Sequence, residues 1–186
     1  ETVSIPWHAF GGAIWAVGSF EAGYHTYLFG GGMFSEGLNV PSLGRAMDTA
    51  AGRMDDFADP VKISILLGRH AAQTRSGYYY GKVQNTRQRL RAAYDAVLAD
   101  HDLLIMPASP NCAPPVPASD APLADLLDHC WNMADNTTPF NLTGHPALSL
   151  PCAGSDGRPI GLQIVGSHGD EATIYRLAHG FERAID

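Results

Sequence analysis

The residues best suited to chemistry in this chain are far apart in sequence. The eight histidines and three cysteines occur in neither an H-E-x-x-H nor a C-x-x-C pattern, the close spacings from which metal sites are usually recognised. His129 and Cys130 are adjacent, but neighbouring side chains on a helix point about 100° apart. The sequence therefore predicts no metal site and no cofactor.

Nucleophilic catalysis has only weak candidates, namely Cys130 and the pairs Lys62 with Ser64 and Ser76 with Lys82. Neither the G-x-S-x-G nor the S-x-x-K pattern occurs. Cys130 follows Asp128 and His129, so a thiol with a neighbouring base can be imagined. A nucleophile and its base must meet in space, however, and neighbours on a helix generally do not. A buried structural cysteine is the favoured interpretation, and an independent thiol enzyme is the weaker alternative.

Composition excludes several classes of function. The net charge is −7 with only 12 Lys+Arg, whereas a nucleic-acid-binding protein needs a cationic surface. The apolar runs are far shorter than the roughly 20 residues of a membrane span. Three widely spaced cysteines favour reduced thiols, and no basic-then-apolar leader is visible. We therefore expect a cytoplasmic protein with neither nucleic-acid nor membrane partners.

The charge content also bears on completeness. Charged residues make up 17% of the 186 residues, against about 25% in typical globular domains. A small free-standing domain has a large surface to cover with charge. Together with a first residue other than Met, this favours a piece of a larger protein.

Periodicity predicts the elements that must position these residues. Helical patterns alternate with short apolar runs, which indicates an α/β layer architecture. Gly30-Gly31-Gly32 is expected to end the first helix, Asp59-Pro60 to close the second, and Gly77 to separate the next two. The predicted helices are 13–29, a short one within 41–59, 61–76, 81–100, 123–132 and 170–185, and the predicted strands are 103–106, 147–153 and 160–165.

Two helical faces are predicted to be buried, and one segment is predicted to be a loop. The first face is a stripe of Ile63, Leu66, Leu67 and His70, and the second lies along the helix of residues 81–100, which is expected to pack on a sheet. Residues 107–122 hold six of the 13 prolines, so they predict a loop, with a domain linker as the alternative. Residues 154–157 (GSDG) give a hairpin signal between the last two strands.

Several motifs resemble the C-terminal region of the amidase signature family. They are residues 136–151 (NTTPFNLTGHPALSLP), 161–166 (GLQIVG), 77–85 (GYYYGKVQN) and 104–107 (LIMP) with Pro110. The match is firm over residues 61–186. Residues 1–60 are a Gly- and aromatic-rich lead-in, in which Ile5-Pro6-Trp7-His8 resembles the amidases that accompany nitrile hydratases.

The resemblance implies a fold and an activity. Residues 1–186 would be the C-terminal portion of one amidase domain, with an α/β/α layered fold and a mixed sheet flanked by helices. Family members hydrolyse amides through a Ser–cis-Ser–Lys triad in a Gly/Ser-rich stretch that this chain lacks. We therefore assign no catalytic residue, and expect an inactive segment whose partners are the N-terminal part of the same enzyme and a small amide substrate. A homodimer is also suggested by the family.

The same resemblance places part of this chain beside the acyl pocket. Trp131, Met133, Asn136 and Thr137 are then the candidate substrate-binding residues, although Trp131 and Met133 are equally well explained as core residues at helical spacing. His145 is expected to shape the backbone rather than to act as an acid–base group. A non-catalytic binding or assembly subunit that keeps the scaffold is the alternative function.

Overall fold

The computed structural model describes residues 1–29, 40–155 and 157–185. Within them, helices alternate with a few strands as the sequence predicts. Short 3-10 turns cover Pro6–Phe10, Met54–Asp56 and Asn132–Ala134. The longer elements are α1 (Gly11–Phe29), α2 (Pro41–Ala51), α3 (Asp59–Arg75), α4 (Tyr78–Leu98), β1 (Leu103–Pro107), α5 (Leu123–Trp131), α6 (Thr138–Thr143), β2 (Ala147–Ser155), β3 (Arg158–Gly166) and α7 (Glu171–Ile185).

The chain divides into two compact units. Unit 1 consists of residues 1–15 and 86–186, and unit 2 consists of residues 16–85. Unit 1 contains all three described strands, in the order β1-β3-β2. Both pairings are antiparallel, so the described part of the chain contributes no parallel pair to the mixed sheet expected for the whole family fold. The α/β class itself is confirmed.

The core of unit 1 lies between α4 and the sheet. Leu90 and Tyr94 are fully buried, and they cluster with Leu98, Leu104, Phe140 and Val165. Arg87, Arg89 and Arg91 lie on the opposite, exposed face of the helix. The predicted amphipathic face of this helix is therefore confirmed, as is its packing against strands.

A second cluster of unit 1 covers part of the sheet with the last helix. Ile174 and Ala178 of α7 pack with Leu150 and Ile164 of the strands. These residues follow from the alternation of the strands and the 3.6-residue period of the helix. On the same helix, Phe181 is half-buried, whereas Leu177 and Ile185 are exposed.

Unit 2 buries a different set of residues from the predicted one. The stripe of Ile63, Leu66, Leu67 and His70 is wrong, because Leu66 and Leu67 are 61% and 43% exposed and His70 is exposed as well. Instead, α3 buries Ile65 and Gly68. A side chain at Gly68 would overlap the carbonyl of Phe20, so the two helices approach backbone to backbone there.

The ends of the elements follow local backbone chemistry. Ser76 (φ 47°) and Gly77 (φ 80°) both adopt left-handed conformations between α3 and α4, which confirms the predicted break. Asp59-Pro60 was expected to close a helix, but it begins α3. Proline is accepted in the first turn because its missing N–H has no helical partner there.

The remaining local predictions have mixed outcomes. Residues 108–122 contain no helix or strand, as their prolines predict. The strands on both sides of the hairpin signal pair with each other, whereas Asp156 and Gly30-Gly31-Gly32 lie outside the described residues. None of the helices described is both long enough and apolar enough to cross a membrane.

Candidate functional site

Asn136 joins three distant segments of unit 1. Its Nδ2 donates to the carbonyl of Pro107 at the end of β1 (2.8 Å), and its Oδ1 accepts from Nε2 of His8 (3.2 Å). Its main-chain carbonyl accepts from Nε2 of the buried Gln163 (3.0 Å). The Asn136 side chain is therefore held in one orientation by two partners.

The partners of His8 settle the proton positions in this network. An amide oxygen only accepts, so Nε2 of His8 carries the proton. Nδ1 then accepts from the hydroxyl of Tyr94, at 2.6 Å. Burial raises the pKa of Tyr94, which keeps the phenol protonated and able to donate. The hydrogen bonds therefore run in one direction: Tyr94 donates to His8, His8 donates to Asn136, and Asn136 donates to the carbonyl of Pro107.

The N-terminal segment must come close to residues 135–139 for this network to form. Gly11 is buried, and a side chain there would overlap the ring of Pro139. A side chain at the next position, Gly12, would crowd the carboxylate of Asp135. Gly11 is therefore required by close approach rather than by a turn, whereas the flexible end of Asp135 can move aside from a side chain at Gly12.

The other predicted substrate-binding residues lie near one another but differ in surroundings. Trp131 and Met133 are 38% and 49% exposed, so the interpretation that they are core residues is wrong for both. Thr137 is half-buried, and its hydroxyl donates to the carbonyl of Ala134 (3.0 Å). The structure thus leaves two large apolar side chains accessible and uses the two polar ones in internal hydrogen bonds.

Met133 lines a cavity of about 580 Å³. The proline-rich loop forms one wall through residues 107 and 109–114, residues 159–161 form a second, and the end of α5 with its following turn forms the third. Trp131, Asn136 and Thr137 are not among the described lining residues, although Asn136 holds the carbonyl of Pro107 in the first wall. This volume is within the usual range for a small-molecule site.

The polar lining of this cavity comes mainly from the end of α5. Asn132 donates to the carboxylate of Asp128. His129 places Nδ1 2.9 Å from the carbonyl of Asp125 and Nε2 3.1 Å from that of Pro115. A neutral imidazole can donate to only one of these two carbonyls. The ring of His129 lies between the end of α5 and the proline-rich loop.

The imagined thiol nucleophile receives no support from this geometry. Both ring nitrogens of His129 face carbonyls, not the sulfur of Cys130. Cys130 is also exposed, so the expectation of a buried structural cysteine is wrong. The helix turns successive side chains away from each other, and Cys130 points to the surface as a result.

His145 lies in a second polar cluster of unit 1. Its side chain is fully buried, with Nδ1 2.9 Å from the hydroxyl of Thr143 and Nε2 3.1 Å from Oδ1 of Asp95. Burial lowers the pKa of His145, and the charge of His168 lowers it further, while the hydrogen bond to Asp95 opposes both. The neutral ring donates from Nε2 to the carboxylate and accepts from Thr143.

The sequence does not indicate that the residues of this network are close in space. His8, Tyr94 and Gln163 complete the Asn136 network, yet His8 is separated from Tyr94 by 86 residues and from Asn136 by 128. Contacts between residues so far apart in the chain cannot be predicted from the local patterns of a single sequence. Among the described residues, the site is thus a positioned polar network beside an accessible cavity, the arrangement expected of one wall of an enzyme pocket.

The fold defines an α/β protein, and comparisons identify its family. The family model described as "Amidase" matches residues 18–175. This chain therefore belongs to the amidase family, and the recognition from its motifs is confirmed.

Three known proteins show how the chain relates to its family. An "uncharacterized protein in nthA 5'region" of Rhodococcus erythropolis is 39% identical over 95% of this chain and 89% of that protein. An "enantioselective amidase" of Rhodococcus rhodochrous is 38% identical over the whole of this chain but only 36% of its own length. A bacterial aryl acylamidase of the amidase signature family shares the fold, with a TM-score of 0.65 at 19% identity over 97% of this chain and 35% of that chain.

Proposed function

We propose that this chain is the C-terminal segment of an amidase-signature hydrolase. The complete enzyme would cleave a carboxamide to a carboxylate and ammonia or an amine through an acyl-enzyme. The Ser–cis-Ser–Lys triad would be supplied by residues outside this chain, and the chain by itself would be inactive. The outer serine would attack the carbonyl, the bridging serine would relay its proton and the lysine would act as the base.

One observation carries this proposal. The whole of this chain matches the enantioselective amidase, yet it spans only 36% of that protein. His129 faces carbonyls rather than the thiol of Cys130, and His145, although next to the Thr143 hydroxyl, is buried together with it. Both facts support a polypeptide that provides the scaffold while the reacting groups come from elsewhere.

Measurement of ammonia release tests whether the catalytic groups lie outside this chain. We expect the purified 186-residue chain to release no ammonia from a panel of aliphatic and aromatic carboxamides. The longer polypeptide encoded with it, if the coding sequence continues upstream, should do so. Replacing a serine of the upstream Gly/Ser-rich stretch should abolish turnover, whereas Cys130→Ser should preserve it. Loss of turnover in a folded Cys130→Ser protein would contradict the proposal.

We further propose that Trp131, Met133, Asn136 and Thr137 contribute to the amide-binding wall. The exposed Trp131 and Met133 would contact the apolar part of the substrate, while Asn136 and Thr137 would hold the backbone that faces it. In the active enzyme, Met133→Ala should raise KM for bulky amides with little change in kcat. Leu123→Ala, a similarly exposed position at the start of α5 (42%), is the matched control, and an equal effect of both would contradict the assignment.

A second candidate is favoured by a different observation. The Rhodococcus erythropolis relative is matched over 89% of its length, so a polypeptide of similar extent occurs there. This chain would then be a non-catalytic binding or assembly subunit that keeps the amidase scaffold. Co-purification of the chain with a separate amidase polypeptide, without any longer form of the chain itself, would favour this candidate over the first.

A further inference from the structure

Three residues with metal-ligating side chains meet in unit 1, although they are far apart in sequence. Asp95 lies on α4, His145 follows α6, and His168 lies in the turn between β3 and α7. One ligand atom from each lies within 4.8 Å of those of the other two. We propose that these residues bind a divalent transition-metal ion of the Zn²⁺ class.

The best-defined edge of the cluster already has the spacing of two metal ligands. Nε2 of His145 is 3.1 Å from Oδ1 of Asp95. Two ligands that each lie about 2.0–2.1 Å from a tetrahedral zinc ion are about 3.3 Å apart. An ion can therefore replace this hydrogen bond without separating the two groups, once the His145 ring and the carboxylate turn to aim Nε2 and Oδ1 at it.

His145 is held as an inner-sphere histidine should be. Its side chain is fully buried, and its position is set by Gly144, whose left-handed conformation (φ 78°) ends α6. Nδ1 lies 2.9 Å from the hydroxyl of Thr143, itself only 3% exposed. When an ion takes Nε2, the proton moves to Nδ1 and the Thr143 oxygen accepts it, the outer-shell contact that orients ligating imidazoles.

Asp95 and His168 are more accessible and close the site from the solvent side. Asp95 is 51% exposed, and its other oxygen, Oδ2, lies 3.8 Å from Nε of Arg91, which leaves Oδ1 for the ion. The ring of His168 is 4.2 Å from that of His145, centroid to centroid, at an interplanar angle of 38°. Because His168 is exposed, a side-chain rotation suffices to aim a ring nitrogen at the ion.

The donor set selects the class of ion. Two imidazole nitrogens and one carboxylate oxygen suit Zn²⁺ and its first-row neighbours, whereas Mg²⁺ and Ca²⁺ prefer oxygen ligands. Three protein ligands leave a coordination position for water. The site ties α4 to the two turns that flank the sheet hairpin, and it is independent of the proposed amide hydrolysis.

Calorimetry with the metal-free protein tests the site. Chelator-treated protein titrated with Zn²⁺ should bind one ion per chain, and Co²⁺ should give the intense visible absorption of four-coordinate nitrogen and oxygen ligands. His168→Asn and Asp95→Asn should each weaken Zn²⁺ binding by at least about tenfold, as even outer-shell losses do. His179→Asn, an exposed histidine of α7, should bind like the parent protein.

Several results would overturn the assignment. Zn²⁺ binding by His168→Asn as tight as that by His179→Asn would show that the ion, if bound, lies elsewhere. The absence of saturable Zn²⁺ binding would show that the three residues do not form a zinc site. Displacement of Zn²⁺ by an equal concentration of Mg²⁺ would contradict the proposed class of ion. Circular dichroism should show that His168→Asn and Asp95→Asn remain folded, because neither substitution removes a buried side chain. A loss of Zn²⁺ binding can then be assigned to the lost ligand rather than to unfolding.

Discussion

The two units differ in what they bury. Unit 2 buries a carboxylate and a glycine, whereas unit 1 buries a continuous apolar cluster. In unit 2, Glu21 is 1% exposed, and its Oε2 accepts a hydrogen bond from the backbone N–H of Tyr80 (3.0 Å). Gly68 lets α3 approach the backbone of α1. In unit 1, Leu90 and the ring of Tyr94 pack in a cluster with Leu98, Leu104, Phe140 and Val165. We therefore expect side-chain volume to matter most at Tyr94 of unit 1 and backbone proximity to matter most at Gly68 of unit 2.

The strongest test of this contrast is Tyr94→Ala. The change removes a fully buried ring from the unit 1 cluster, so the free energy of unfolding should fall by about 3–5 kcal/mol. Tyr175→Ala, at a position 65% exposed on α7, should change it by no more than about 0.5 kcal/mol. Urea unfolding measures both, and hydrogen exchange should locate the lost protection in unit 1. Equal effects of the two changes would contradict the assignment of the core.

Gly68→Ala tests the close approach in unit 2. The added methyl group would overlap the carbonyl of Phe20, and a backbone cannot move aside cheaply, so we expect a loss of about 3 kcal/mol. Gly81→Ala on α4 meets nothing within 4 Å and should stabilise the chain by about 0.5–1 kcal/mol through helix propensity. If both changes stabilised the protein, backbone proximity would not be what holds unit 2 together.

Glu21→Ala should have an intermediate effect. The substitution leaves the N–H of Tyr80 buried without its partner in the first turn of α4, at a cost of about 2 kcal/mol. Glu21→Gln keeps an acceptor oxygen and should retain most of that stability. Thermal unfolding of both variants measures the difference, and identical losses would show that the charge, rather than the hydrogen bond, matters.

Tyr94→Phe should have the smallest effect of the four. It keeps the ring in the unit 1 cluster and removes only the hydroxyl that donates to His8, so the loss should be about 1 kcal/mol. A loss as large as that of Tyr94→Ala would mean that the polar network, not the apolar cluster, dominates unit 1. Chemical denaturation of the two Tyr94 variants side by side gives the answer.

The contrast between the units also explains what the sequence could predict. The face of α4 that carries Leu90, Tyr94 and Leu98 follows from apolar residues at helical spacing with arginines opposite. The same reasoning does not identify the buried face of α3, because that face is centred on Gly68 and Ile65. A glycine has no side chain, so it adds nothing to a hydrophobic pattern. Leu66 and Leu67 form an apolar pattern that the described structure leaves exposed.

The candidate site was predictable in part for a similar reason. The motif around residues 136–151 drew attention to Asn136 through family resemblance, and the structure gives its side chain two fixed partners. Those partners, His8 and Pro107, come from segments whose spacing to Asn136 obeys no local period. The cluster of Asp95, His145 and His168 is likewise assembled only by the tertiary fold, so a search for closely spaced ligands misses it.

The path of the chain through unit 1 has a consequence for how the protein is made. Residues 1–15 belong to unit 1, whose remaining residues begin at residue 86. The hydrogen bonds of His8 to Tyr94 and Asn136 can therefore form only after those residues have been synthesised. Closing such a long loop is entropically unfavourable and slow compared with local contacts. Unit 2 is a contiguous segment and can form on the ribosome before unit 1 closes. Newly made chains should therefore protect the described helices within residues 16–85 before residues 1–15 contact their partners in unit 1.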